Sequence, residues 1–179
     1  IETLQHCLSV QARTLVCRVD LRYPVGRMPS DALISNEVMT RFFYQLSKEL
    51  VWANTKYSTE IRYIWCRERN SSEAPHYHLM LLLNYDAIGG LGNYGPSTDG
   101  TYSRENLFHR IVRAWAWAIG CAAHDMSGLV HACQDKLSTA SHRNWGRALP
   151  CSPPVGSEAG LRGVQYAYSM VRHCRTVSH

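Results

Sequence analysis

Between Thr14 and Tyr23 the chain alternates apolar and polar residues and is rich in β-formers, and Pro24 with Gly26 ends the run, which predicts a strand. From Asn36 to about Trp52 the period changes: Val38, Met39, Phe42, Phe43, Leu46 and Leu50 recur at helical spacing, with Ser35 placed as N-cap and Glu37 in the first turn. Ile61 to Arg67 and His76 to Tyr85 return to a strand pattern, and the polar segment Glu68 to Pro75 between them predicts a hairpin. A Gly-rich loop leads to a helix starting near Ser103, whose apolar face is Leu107, Ile111, Trp115, Ala118 and Ile119 and whose stop is Gly120. Gly128 to Gln134 predicts a short fourth strand. Residues 136–160 have little periodicity and contain Pro150, Pro153 and Pro154, so they read as a long loop. A last helix is expected from about Leu161 to Arg175.

This order predicts an α+β fold: a ferredoxin-like, or RRM-like, antiparallel βαββαβ sheet with an additional C-terminal helix, in one domain over residues 1–179. Its first and third strands would be central. Helices would cover one face, leaving the other free to meet a ligand.

Composition narrows the class. Of 179 residues, 45% are hydrophobic and 18% charged, enough apolar matter for a core and too little charge for disorder. The longest apolar run, Leu79 to Leu83, is strand-sized, so no membrane partner is expected, and no secretory signal pattern opens the chain. Seven cysteines, an odd number without a CxxC pair, argue against a disulfide framework and a zinc ribbon and predict a cytoplasmic protein. The charge is unevenly spread: residues 1–135 balance to zero, and the last 44 carry the whole net +5. Of the 19 basic residues 16 are Arg, whose planar fork suits phosphate, so a polyanion partner is expected.

The sharpest local feature is Pro75-His76-Tyr77-His78. Residues two apart on a strand share a face, about 7 Å apart at Cα, so His76 and His78 could ligate one divalent cation. With Glu68 paired opposite His76, a carboxylate joins the same face and Cys66 falls opposite His78. Two imidazoles and a carboxylate leave coordination positions open, as a catalytic metal requires, and the mixed set accepts manganese, magnesium or zinc. Cys66 as a fourth, structural ligand is the rival arrangement.

A His-hydrophobe-His strand after a hairpin turn, followed downstream by a Tyr-bearing helix, resembles the HUH endonucleases. The run from Trp65 through Pro75-His76-Tyr77-His78-Leu79, continuing through Leu83-Asn84-Tyr85-Asp86-Ala87 to Leu91-Gly92, is similar to the inovirus-type replication proteins, the YagK/YfjJ domain family. Arg18-Val-Asp-Leu21, Asn106-Leu107 with Arg110-Ile111 and Ala114-Trp115-Ala116, and Gly128-Leu-Val-His131 carry the same resemblance, which covers most of residues 14–135. It implies an HUH endonuclease fold in a bacterial or phage- or plasmid-encoded protein. The implied activity is metal-dependent nicking and rejoining of single-stranded or hairpin DNA through a 5′-phosphotyrosine, for rolling-circle-type replication initiation. The implied metal ligands are His76, His78 and Glu68, with manganese or magnesium preferred and zinc accepted. Matching the family's Tyr-x-x-Lys helix selects Tyr168 as nucleophile, with Tyr166 the alternate; Val171 stands where the family has Lys, and Arg172 follows it. Arg172 and Arg175 share the Tyr168 face and are expected beside the phosphate, while Arg18 and Arg22 on the first strand are candidate DNA contacts.

Two other functions fit the same fold: a non-catalytic nucleic-acid-binding module on an RRM-like sheet, and a single-tyrosine HUH transposase. The literal GxGxxG at Gly90–Gly95 lacks the helix a dinucleotide fold needs at that turn and reads as loop. Trp115 and Trp117 read as core and boundary residues, His109 as a surface or capping residue. His131, on the strand expected beside the first, is a candidate for a supporting or DNA-contacting role. The oligomeric state is not legible.

Overall fold

The computed structural model describes residues 13–28, 35–68 and 74–133, together with the backbone of 147–150. The order is β1 (Arg13–Leu21), α1 (Glu37–Val51), β2 (Arg62–Glu68), β3 (His76–Asn84), α2 (Leu107–Ile119), a 3₁₀ turn (Ala123–Met126), β4 (Val130–Ala132) and β5 (Arg147–Pro150). The fold is α+β. Four antiparallel strands lie in the order β2-β3-β1-β4, and β5 pairs with the first half of β1 while β4 pairs with its last residues.

Alternation decides which side is core. Leu15, Cys17, Val19 and Leu21 of β1 and Tyr77, Leu79, Leu81 and Leu83 of β3 face one way and meet Phe42 and Leu46 of α1 and Ile111 and Trp115 of α2. Trp115 is fully buried against Tyr23, Phe42 and Tyr77, and its indole N–H donates to Arg22 O at 2.7 Å. Trp117, two residues on and therefore on the opposite side of the helix, is 50% exposed. On the edge, Phe43 of α1 stacks on Tyr63 of β2 with centroids 3.6 Å apart.

Both helix starts lie later than the sequence pattern places them. Asn36, one residue after Ser35, is the N-cap position of α1, and Ser35 Oγ accepts from the Glu37 amide at 3.0 Å. Helix α2 begins at Leu107, where its apolar face starts, rather than near Ser103, because Asn106 Oδ1 accepts from the His109 amide at 2.9 Å and the preceding residues belong to the loop. Gly120 takes the left-handed conformation, φ 71°, that closes α2. Gly92 explains the GxGxxG: with φ 81°, its missing Cβ would stand 2.4 Å from Asn106 Cβ, so this glycine is where loop and helix start touch.

Three sequence expectations are corrected. His109 is buried rather than at the surface, bonding Gly95 O at 2.8 Å and Ser103 Oγ at 3.2 Å, because the loop folds over the start of α2. Residues 147–150, expected within a loop, form β5 by using the edge of β1 that the three-residue β4 leaves open. The face opposite the helices is not bare, since Met80 and Leu82 are each 1% exposed there. Part of the Arg excess also serves the fold: Arg104 and Arg113 reach the buried Glu49 carboxylate at 2.7 and 3.4 Å, and Arg110 bonds Glu49 O. The expected helix of residues 161–175 lies outside the described residues. Among those described, no helix is long and apolar enough to cross a membrane.

Candidate functional site

The β2–β3 ladder has the register the hairpin argument requires, with Glu68 opposite His76 and Cys66 opposite His78. The β1–β3 ladder sets Asp20 opposite His78, and the β1–β4 ladder sets His131 opposite Asp20. One row across the sheet, on the face away from the helices, therefore runs Cys66, His78, Asp20, His131. Its neighbours on that face are Glu68 and His76 on one side and Arg18 on the other.

His78 is the centre of the row. Its Nδ1 lies 2.8 Å from Asp20 Oδ1 and its Nε2 lies 2.7 Å from Glu68 Oε2, with only 13% of the side chain exposed. Both ring nitrogens face carboxylates, so the protonated ring can donate from each of them. The hydrogen bond to Asp20 raises the His78 pKa above that of a free imidazole; burial opposes this and the Glu68 bond adds to it. Burial pushes the Asp20 carboxyl upward, but the hydrogen bond and charge of His78, then Cys133 and Arg18, outweigh it and hold Asp20 below its ordinary value. Arg18 Nη2 stands 3.7 Å from Asp20 Oδ1. Burial, then the charge of Asp20, pushes the Cys133 thiol up to about 12.

The donor set suits a divalent cation. His78 Nε2 and Glu68 Oε2 are already 2.7 Å apart, close to the roughly 3 Å between neighbouring ligands of a small octahedral ion. Asp20 holds the other ring nitrogen, the arrangement that fixes tautomer and ring orientation in histidine metal sites. Of the three residues expected as ligands, the structure brings His78 and Glu68 into contact and sets His76 opposite Glu68 in register. The three do not have all their donor atoms within 4.8 Å of one another. Among the described residues, the group with all its donor atoms within 4.8 Å of one another is Asp20, His131 and Cys133. Cys66 is disulfide-bonded, against the expectation of free thiols, which removes its sulfur from the rival ligand set. Tyr166, Tyr168, Arg172 and Arg175 lie outside the described residues. Arg22, one residue past β1, is exposed.

Two site residues were not assigned their part by sequence reasoning. Asp20 reads as one polar position on a central strand, and only the β1–β3 register shows that it faces His78. Cys133 carries no signal alone; its spacing from His131, two residues along a strand, is the clue available. A cleft of about 640 Å³ lined by Phe43, Leu50, Tyr57 and Tyr63, among others, contains none of these groups.

A family model described as the YagK/YfjJ C-terminal domain matches residues 1–144. Among curated proteins, the uncharacterized protein YfjJ of Escherichia coli (strain K12) is 27% identical, over 73% of this chain and 67% of that protein. The uncharacterized protein YagK of the same strain is 30% identical, over 66% of this chain and 60% of that protein. No solved structure matches the chain.

Proposed function

From the premise that the chain belongs to the YagK/YfjJ C-terminal domain family, we propose that it is a metal-dependent HUH endonuclease that nicks and rejoins single-stranded DNA through a covalent 5′-phosphotyrosine, for rolling-circle-type replication initiation. The observation that carries this reading is the clamping of His78 between Asp20 and Glu68, with His76 two residues earlier on the same strand face. The strand order β2-β3-β1-β4 of antiparallel strands is compatible with the ferredoxin-like topology of that class.

His76, His78 and Glu68 would hold the ion. A bound manganese or magnesium ion supplies charge neutralisation at the scissile phosphate. Asp20 keeps the His78 ring oriented by accepting from Nδ1–H, which leaves Nε2 and the Glu68 carboxylate for ligation. The phenol of Tyr168, or Tyr166, loses its proton and attacks phosphorus. The new O–P bond forms as the P–O3′ bond breaks, and the departing oxygen takes up a proton to become a free 3′-hydroxyl. The phosphotyrosine conserves the bond energy, so attack by a 3′-hydroxyl reverses the step and rejoins the strand. Arg18, Arg22, Arg172 and Arg175 are assigned to backbone phosphates.

The test is incubation of end-labelled single-stranded and hairpin DNA with manganese or a chelator. The reading expects metal-dependent cleavage that leaves a 3′ end a polymerase can extend. One observation favours a second reading, a non-catalytic nucleic-acid-binding module: Val171 occupies the place of the family lysine. That reading expects metal-independent binding and no cleavage of any strand tried.

A further inference from the structure

We propose that Asp20, His131 and Cys133 form a second metal site, specific for a thiophilic cation such as zinc, that clasps β4 to the central strand. The site shares Asp20 with the hairpin centre but takes none of that centre's expected ligands, His76, His78 and Glu68, and no tyrosine.

The placement follows from two ladders. Asp20 and His131 are directly paired across β1 and β4, and Cys133, one residue past β4, is tied to β1 by its amide donating to Arg18 O at 3.0 Å. His131 and Cys133 are two residues apart and so share the face that Asp20 occupies. The buried carboxylate, exposed imidazole and half-buried thiol each offer a donor atom, and these atoms all lie within 4.8 Å of one another. Bonds of about 2.0–2.3 Å to a tetrahedral ion place ligand atoms roughly 3.3–3.8 Å apart, so side-chain movement of about an ångström closes the site. A sulfur, a nitrogen and an oxygen together select zinc or cobalt over magnesium, which takes oxygen ligands. On binding, the S–metal bond forms as the Cys133 proton leaves to solvent, with no change in oxidation state. A fourth position on the exposed His131 side is open to water.

The clasp has a structural reason. Strand β4 is only three residues long, so its backbone ladder alone holds it weakly. An ion there adds side-chain bonds between the two strands. It also fixes Asp20, whose Oδ1 faces His78 at 2.8 Å, so occupancy would help set the imidazole orientation at the neighbouring centre.

Cobalt(II) titration of the full chain, followed by absorption spectroscopy, tests this directly. A thiolate-to-cobalt charge-transfer band should saturate at one equivalent per chain and be displaced by zinc. Cys133→Ser should abolish the band, and His131→Ala should weaken cobalt binding by more than about tenfold, since losing only an outer-shell partner of a ligand already costs about that much. His76→Ala and Cys121→Ser should leave the band intact, which separates this centre from the hairpin histidines and from another free thiol. Zinc should also raise the thermal midpoint of the wild type more than that of His131→Ala. No charge-transfer band in the wild type at one equivalent, or a band that persists in Cys133→Ser, overturns the proposal whatever the outcome of the DNA assay.

Discussion

His78 Nδ1 sits 2.8 Å from Asp20 Oδ1, directly across the β1–β3 ladder, while Nε2 of the same ring meets Glu68 Oε2 across the β2–β3 ladder. The middle strand thus presents one imidazole to a carboxylate on each neighbouring strand. Replacing Asp20 by Asn keeps the shape but removes the charge that orients the ring. Manganese affinity should fall about 10- to 100-fold, as when the partner of a ligating histidine is lost, with the fold intact by circular dichroism. Unchanged affinity in a calorimetric titration would mean that Asp20 does not position His78.

The same pair predicts a pH dependence of stability in the metal-free protein. The folded-state pKa of His78 is raised above the ordinary value of about 6.5, so its contribution is fully present below about 6.5 and is lost as pH rises through the raised value. That of Asp20 is lowered, so its contribution is present above about 3.9 and is lost as pH falls through the depressed value. Urea midpoints of wild type and His78→Gln should differ most between about pH 4 and 6.5 and converge at alkaline pH. A gap that widens as pH rises would contradict the assignment. Manganese must displace the Nε2 proton, so its apparent affinity should fall as the solution is acidified.

Trp115 is the largest fully buried side chain, and its indole N–H is bonded to the backbone where β1 ends. Trp115→Ala should cost about 3–5 kcal/mol by chemical denaturation, the range for large aromatic deletions in a core. Trp117→Ala, at a half-exposed position, should cost under about 1 kcal/mol.

Gly92→Ala places a methyl against Asn106 Cβ in a left-handed backbone conformation, and should destabilise more than Asn106→Ala, which loses the α2 cap. The cap itself is worth about 1 kcal/mol. Equal stability of Gly92→Ala and wild type in a thermal melt would show that the loop moves away freely.

The sequence made the elements and the hairpin legible because their patterns are local. Alternation in β1 and β3, helical spacing in α1 and α2, and Gly120 as a stop each act within a few residues. The alternation of β2 and β3 fixes which face each residue takes, while the register that sets Glu68 opposite His76 is a premise of the sequence reading that the ladder supplies. The partnership of Asp20 with His78 spans 58 positions, and that of Asp20 with His131 and Cys133 depends on β1 being central. No local spacing encodes such pairs. His109 misled for a related reason: its burial comes from the Gly92–Ser103 loop folding back, a tertiary event. Strand β5 was hidden because Pro150 and low periodicity mask a segment that needs only one open edge to pair with.

The most direct test of the central claim is denaturing electrophoresis of the protein after incubation with 5′- and 3′-labelled single-stranded DNA and manganese, with peptide mapping of any species that survives SDS. The account predicts a covalent adduct on the fragment downstream of the nick, abolished by chelator and by His78→Ala, and mapping to Tyr168 or Tyr166. An adduct that persists with both tyrosines changed to Phe, or one that forms equally well without metal, would contradict it.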